Sequence, residues 1–224
     1  MHRTGSRSAA IEGVKPNKSD FTEREWRLIK THATPLQVQR LLESIPYNRE
    51  PSGETCFSFR RVVMENRAHC LEGALTAAAI LEQHGRAPLL VSIESQDKLD
   101  HVLYLFRERG LYGAIARSRD VALHGRKPLY RTVRELVMSY YEPYVDLTGR
   151  ITGYSVASLY ELGGYDWRFS LRNVWKVERL LQDIPHHQIR SSDRRYMSLH
   201  RRFLAFHREH PGQSADYFPR ENWL

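Results

Sequence analysis

Two residues, Cys70 and His101, have the types and positions that nucleophilic catalysis requires. Cys70 stands at the start of a run of strong helix formers, directly after the polar stretch 65–69. A thiol at a helix N-terminus lies close to unpaired backbone N–H groups and to the positive end of the helix dipole, which lower its pKa. The same N–H groups can hold an oxyanion, and a nearby imidazole completes an activated nucleophile. The pattern therefore predicts attack of a thiolate on a carbonyl group.

The elements around these residues predict how the two side chains meet. The run that begins at Cys70 is rich in small residues, which is typical of a buried, closely packed helix. Strands are predicted over 88–93, over 101–106 and, after a turn, over 111–116. A helix followed by an antiparallel hairpin is typical of a helix packed on a sheet. We therefore expect His101, the first residue of the second strand, to reach Cys70 at the helix start.

This order of elements resembles the transglutaminase-like superfamily, whose members have a papain-like fold. The segments that carry the resemblance are 67–74, 100–105 and 110–115, and the resemblance extends from Arg67 to Asp120. It implies a nucleophile at Cys70, a base at His101 and no required cofactor. Members of the superfamily include acyl-transferring enzymes, peptidases and amidases, and also domains that have lost activity.

The residue that would orient His101 departs from the family pattern. Family members usually place an Asp near the end of the returning strand, facing the His. If Glu108 and Arg109 form a two-residue turn, His101 pairs with Ala116, which cannot orient an imidazole. We take Ser118 as the residue that accepts the Nδ1 proton through its hydroxyl. The alternatives are Asp100, Asp120 and a backbone carbonyl.

Other residues near Cys70 are assigned structural roles. Cys56 stands outside such a context and is predicted to pack in the core. His69 is not expected to act as a second base, because adjacent side chains at a helix start usually point apart. Glu72 is expected to complement the helix dipole. Two cysteines without histidines at matching spacing predict neither a disulfide framework nor a metal site.

Composition restricts the class of protein. The chain has 224 residues, of which 41% are hydrophobic and 27% charged, as in ordinary globular proteins. No apolar run approaches the roughly 20 residues that span a bilayer, and the first 20 residues lack the apolar segment of a secretory signal. We therefore expect a cytoplasmic protein without a membrane span. Its oligomeric state does not follow from the sequence.

The net charge of +8 is compatible with a nucleic-acid partner. No nucleic-acid-binding motif accompanies that charge, so we do not expect nucleic acid to be the main partner. A solvated, Arg-rich surface is the favoured interpretation.

The predicted fold class is α+β with three parts. Residues 1–20 are predicted to be a flexible tail, because they carry few apolar residues. Residues 21–185 are predicted to be a transglutaminase-like domain with N-terminal helices, a central Cys-bearing helix on an antiparallel sheet and a helical C-terminal part. Residues 186–224 are predicted to be a basic C-terminal extension. Helices beyond Ser118 are predicted over 132–144, 155–162, 170–185 and 197–207.

Three functions from different classes follow from these observations. The first is a thiol-dependent enzyme that transfers acyl groups or hydrolyses amides or esters of peptide, amide or acyl substrates, with Cys70, His101 and Ser118 as catalytic residues. The second is an inactive transglutaminase-like domain retained for binding or as a scaffold, which the Ala116 departure favours. The third is a basic protein associated with nucleic acid, which only the charge favours.

Overall fold

The computed structural model of the chain describes residues 15–213 and 218–224. These residues form an α+β fold in which α-helices surround a six-stranded sheet. The helices are α1 (Glu23–Thr31), α2 (Pro35–Ser44), α3 (Phe59–Glu65), α4 (Cys70–Gln83), α5 (Val133–Met138), α6 (Trp175–Asp183) and α7 (Asp193–Glu209). The described helices do not include one that combines the length and apolar composition needed to cross a bilayer.

The sheet is antiparallel at every pairing of neighbouring strands. Its order is β4-β3-β2-β1-β5-β6, which places β1 and β2 at the centre. The strands are β1 (Leu89–Ser95), β2 (His101–Glu108), β3 (Leu111–Ile115), β4 (Arg126–Tyr130), β5 (Ile151–Ser158) and β6 (His187–Gln188).

Helix α4 is the central buried helix that the sequence predicts. Every residue from Leu71 to Glu82 is buried, and the alanines in this stretch let α4 pack closely against β2. Successive side chains of β2 point to opposite faces of the sheet, so they contribute in turn to the two layers of the core. Val102 and Tyr104 join the cluster around α4, whereas Leu103 joins the cluster beneath α5 on the other face of the sheet.

The β2–β3 hairpin is present, but its turn lies one residue further along the chain than predicted. Glu108 pairs with Leu111, so that Arg109 and Gly110 form the two-residue turn. Both turn residues have positive φ, 48° and 82°, as a tight primed turn requires. Glycine adopts this conformation without strain, which explains why the turn includes Gly110.

The shifted turn changes the residue that lies opposite His101 on the neighbouring strand. Tyr104 pairs with Ile115. Three residues before Tyr104 is His101, and three residues after Ile115 is Ser118. The prediction that Ala116 lies opposite His101 is therefore wrong, and the register brings Ser118 to that level, beyond the end of β3.

Beyond Ser118 the structure contains the strands β4, β5 and β6, which the sequence did not predict. The helix predicted over 155–162 is wrong, because β5 runs from Ile151 to Ser158 and only Leu159–Leu162 form a 3₁₀ turn. Burial alternates along β5 with the period of two that identifies a half-buried strand. The strand pairs with β1 along its length, which widens the sheet beyond the predicted hairpin.

The structure describes part of the predicted N-terminal tail and most of the predicted C-terminal extension. Residues 1–14 of the predicted tail lie outside the described residues, and Lys18–Asp20 form a 3₁₀ turn. At the other end, the backbone of Asn222 accepts a hydrogen bond from Lys127, and Leu224 donates one to Gly125. The last residues therefore pack along the β4 edge of the sheet.

Candidate active site

Cys70 lies in a cleft of about 650 Å³ at one end of the sheet. It is the first residue of α4, and His101 is the first residue of β2, so two element starts bring the pair together. Ser118, which follows β3, lines the same cleft. The structure thus places all three predicted site residues around one opening.

Two imidazoles, those of His101 and His69, line the same cleft as the Cys70 thiol and are close enough to influence its charge. Burial opposes a negative charge on the sulfur, but the hydrogen bonds and the charges of the two rings outweigh that cost. They lower the pKa of Cys70 to about 5. The position of the thiol at the start of α4 acts in the same direction. The sulfur is therefore a thiolate at neutral pH.

His101 is fixed by a backbone carbonyl on the side away from the thiol. Its Nε2 lies 3.0 Å from the carbonyl oxygen of Leu123, and the ring packs edge-on against Tyr140 with 6.3 Å between ring centroids. A carbonyl only accepts, so Nε2 carries a proton, and Nδ1 is left for another partner in the cleft. Leu123 is the last residue of a 3₁₀ turn, Val121–Leu123, and the geometry of this turn determines the direction in which the Leu123 carbonyl points.

Ser118 and Asp120 shape the loop that presents this carbonyl. The Ser118 hydroxyl accepts a hydrogen bond of 3.1 Å from the Asp120 backbone N–H, and the Asp120 carboxylate accepts one of 2.9 Å from Ala122 N–H. Both side chains line the cleft. The hydrogen bond at the far nitrogen of His101 is made by the carbonyl, and a direct role for Ser118 stays a prediction.

His69 is the site residue that the sequence interpretation missed. Its ring is 13% exposed, and Nε2 lies 3.0 Å from the Thr55 carbonyl oxygen and 3.3 Å from a carboxylate oxygen of Glu72. Burial of the ring disfavours its protonation, but Cys70, Glu72 and the Thr55 carbonyl outweigh that cost and raise the pKa of His69 to about 9. The imidazole of His69 is therefore protonated at neutral pH and lies beside the thiolate.

A signal for this arrangement is present in the sequence. His69 is the N-cap of α4 and Glu72 is its third residue, which is the spacing of a capping box. The backbone N–H of His69 donates to the Glu72 carboxylate at 3.0 Å. That bond holds the backbone of residue 69 so that its ring turns back over the helix start instead of away from it.

Cys56 has the opposite environment. It is fully buried, and burial is the first cause of a raised pKa for its thiol. The predicted packing role fits this position in the core around α4. Within the described ranges, the His, Cys, Asp and Glu side chains form no group of three or more that could hold a metal ion.

The cleft differs in charge from the chain as a whole. Its lining includes only three Lys or Arg residues, namely Arg49, Lys98 and Arg119. It includes seven carboxylates, namely Glu50, Glu54, Asp97, Asp100, Asp120, Asp146 and Glu178. Burial raises the pKa of Glu178, and the neighbouring charges of Glu54 and Glu50 raise it further. A chain with a net charge of +8 thus has an acidic cleft around its thiol.

These environments predict a pH dependence for alkylation. At pH 6 a thiol with a pKa of about 5 is about nine-tenths thiolate, whereas an ordinary thiol is ionised to less than about 1%. Because the thiolate is the nucleophile, iodoacetamide should label Cys70 at a rate that rises through pH 5 and is nearly constant by pH 6.5. Peptide mapping should show Cys56 unlabelled over the same period. A half-maximal rate near pH 8.5 would contradict the site geometry.

Comparison with known proteins yields neither a matching family model nor a significantly similar curated protein. The function is therefore argued from the residues of the cleft and their geometry.

Proposed function

We propose that the protein is a thiol-dependent enzyme of transglutaminase-like type, which transfers acyl groups or hydrolyses amides or esters. The observation that carries the proposal is that the Cys70 thiol, at the start of a buried helix, and His101, at the start of the adjacent strand, line one open cleft. A nucleophile, a base and space for a substrate are the parts that acyl transfer requires.

The order and packing of elements support a papain-like core. In that arrangement a buried helix carries the nucleophile at its first turn, and an antiparallel sheet against it carries the histidine, as α4 and β2 do here. The carbonyl of Leu123 takes the place of a carboxylate behind His101. The carbonyl fixes the orientation of the His101 ring, which is the role that a carboxylate has in the usual triad.

The proposed reaction begins with attack of the Cys70 sulfur on the carbonyl carbon of an amide, ester or thioester. A C–S bond forms, and the π electron pair of the carbonyl moves to its oxygen, where the first N–H groups of α4 can hold it. When that pair returns, the bond to the leaving group breaks and the leaving group takes a proton from His101. The acyl group is then a thioester of Cys70.

The second half of the reaction releases the acyl group. Water or an amine attacks the thioester carbon and gives a proton to His101, and the Cys70 thiolate departs. Hydrolysis and acyl transfer differ only in which of the two nucleophiles reaches the thioester.

The test is capture of the thioester with an activated ester. After brief incubation with p-nitrophenyl acetate at pH 6, peptide mapping by mass spectrometry should find one acetyl group on Cys70. Protein pretreated with iodoacetamide should lose that adduct and the release of nitrophenolate. A Cys70 that alkylates rapidly but never acylates would overturn the proposal and favour a scaffold domain.

The acidic lining extends the proposal to the substrate. Carboxylates around a cleft attract cations and repel anions, most strongly at low salt. In the same assay, an ester whose acyl group carries a guanidinium should acylate Cys70 faster than one whose acyl group carries a carboxylate. The difference should shrink as salt is added. Equal rates at low salt would remove the charge preference and leave the acyl chemistry intact.

A further inference from the structure

Beneath the cleft, the carboxylate of Glu72 is wholly buried and accepts hydrogen bonds from four groups. Its Oε1 accepts from the Thr55 hydroxyl at 2.7 Å and from Phe57 N–H at 2.9 Å. Its Oε2 accepts from the Asn48 side-chain amide at 3.0 Å and from His69 N–H at 3.0 Å. These donors fix the carboxylate at one position under the start of α4.

The ring of His69 is held by two acceptors on one nitrogen. Nε2 contacts the Thr55 carbonyl and Glu72 Oε1, and an oxygen of Glu50 lies 3.8 Å away. Both closer partners accept, so Nε2 carries a proton, and Nδ1 is left for another partner. The ring cannot turn without giving up these contacts.

The acidic groups that face His69 come from several elements, and the His101 imidazole is a neighbour of the same sulfur. Cys70 and Glu72 belong to α4, Glu50 to the loop before α3 and Glu178 to α6. His101, by contrast, has the neutral Leu123 carbonyl as the hydrogen-bond partner of its Nε2, and the Asp120 carboxylate interacts with it only through charge. A carboxylate behind an imidazole favours the imidazolium, whereas a carbonyl does so less strongly. The two rings are therefore unequal partners of one sulfur.

We propose that the two histidines have different roles. His69, held by the buried Glu72 carboxylate, stays positively charged and stabilises the thiolate of Cys70, whereas His101 exchanges protons with the substrate. This division of labour rests on the proposed function and adds a catalytic residue to it. His69 then stabilises the sulfur as a thiolate before the attack on substrate, and again when the thioester is cleaved and the sulfur departs. An enzyme with a single histidine must use one imidazole for both tasks.

The test compares His69→Gln with His101→Ala, and uses His84→Gln, at the far end of α4, as a matched control. In His69→Gln, the pKa of Cys70 should rise by at least about one unit, so alkylation by iodoacetamide at pH 5.5 slows several-fold or more. Alkylation and turnover of p-nitrophenyl acetate should both recover at higher pH, because His101 remains. In His101→Ala, turnover should fall by about 10²–10⁴-fold and should not recover at any pH.

The result that overturns the inference is an alkylation profile of His69→Gln that matches wild type. If that variant does not fold, imidazole ¹⁵N chemical shifts of the wild-type protein decide the question. His69 should stay doubly protonated to about pH 8, and blocking Cys70 with methyl methanethiosulfonate should lower its titration point. A neutral His69 ring at pH 7 would also overturn the inference. Both readouts work without an acyl substrate, so they stand apart from failure of the proposed enzymatic function.

Discussion

Replacing Cys70 by serine should reduce acyl turnover by at least about 10³-fold, because the variant loses its nucleophile. A serine hydroxyl in the same place stays protonated at neutral pH, and the imidazoles that stabilise a thiolate do not produce an alkoxide. Turnover of p-nitrophenyl acetate, measured beside the thermal unfolding midpoint, checks this expectation. The midpoint should change little, since Cys70 is only partly buried and the two side chains are similar in size.

The matched control is Cys56→Ala. Cys56 is the other cysteine of the chain and is fully buried away from the cleft lining. Its replacement should lower stability by about 1 kcal/mol through loss of packing and leave turnover per folded molecule unchanged. Loss of activity in this control, or retained activity in Cys70→Ser, would assign the chemistry to a group other than the Cys70 thiol.

The juxtaposition of Cys70 and His101 could be predicted because both residues sit at element starts. The helix start is marked by a change from polar residues to helix formers, and the strand start by a polar run followed by apolar residues. Both signals are local, and the packing of a helix on a hairpin follows from the need to bury apolar faces. The proximity of Cys70 and His101 therefore follows from where the helix and the strand begin in the sequence.

The partner of His101 could not be predicted with the same certainty, because strand register depends on one turn. A two-residue turn at 108–109 and one at 109–110 differ by a single step along the chain, yet they shift the pairing by two residues. The glycine at position 110 favours the second turn, because a primed turn requires the positive φ that glycine adopts without strain. Weighing that residue first would have brought Ser118, rather than Ala116, to the level of His101.

The C-terminal strands were missed for a different reason. In β5 the buried positions are Ile151, Gly153, Ser155 and Ala157. Only Ile151 is a large apolar residue, and the other three are small. Such a strand lacks the large apolar alternation that identifies strands in sequence, and the serines at 155 and 158 resemble helix caps. Its conformation is set by pairing with β1, which is a tertiary effect.

The contribution of His69 was not predicted, because adjacent side chains at a helix start usually point apart, whereas here the Glu72 carboxylate holds His69 in place. Adjacent side chains at a helix start diverge when the first of them is free to turn. Here the carboxylate three residues later binds the backbone of His69 and one side of its ring. The sequence His69-Cys70-Leu71-Glu72 contains that constraint, but whether the carboxylate points inward depends on donors at positions 48, 55 and 57.

Replacing Glu72 by alanine should lower the free energy of unfolding by about 3–5 kcal/mol, a large part of the stability of an ordinary domain. The substitution leaves two side-chain donors and two backbone donors without their acceptor in a site closed to solvent. Each orphaned donor costs desolvation free energy that its lost hydrogen bond no longer offsets. Urea unfolding followed by circular dichroism measures the loss, with the slope of the transition as a check on two-state behaviour.

Two further variants separate the buried network from charge in general. Glu108→Ala breaks an ion pair with Arg86 in which both side chains are partly exposed, and should cost less than about 1 kcal/mol. Thr55→Val keeps the carboxylate but removes the hydroxyl that donates to Glu72 and accepts from the Asn48 amide, and should cost about 1–3 kcal/mol. If Glu72→Ala were no more destabilising than Glu108→Ala, the carboxylate would not be the anchor of this network. The fixed position of His69 over the thiol would then need another explanation, because the same carboxylate that stabilises the helix start also orients the ring.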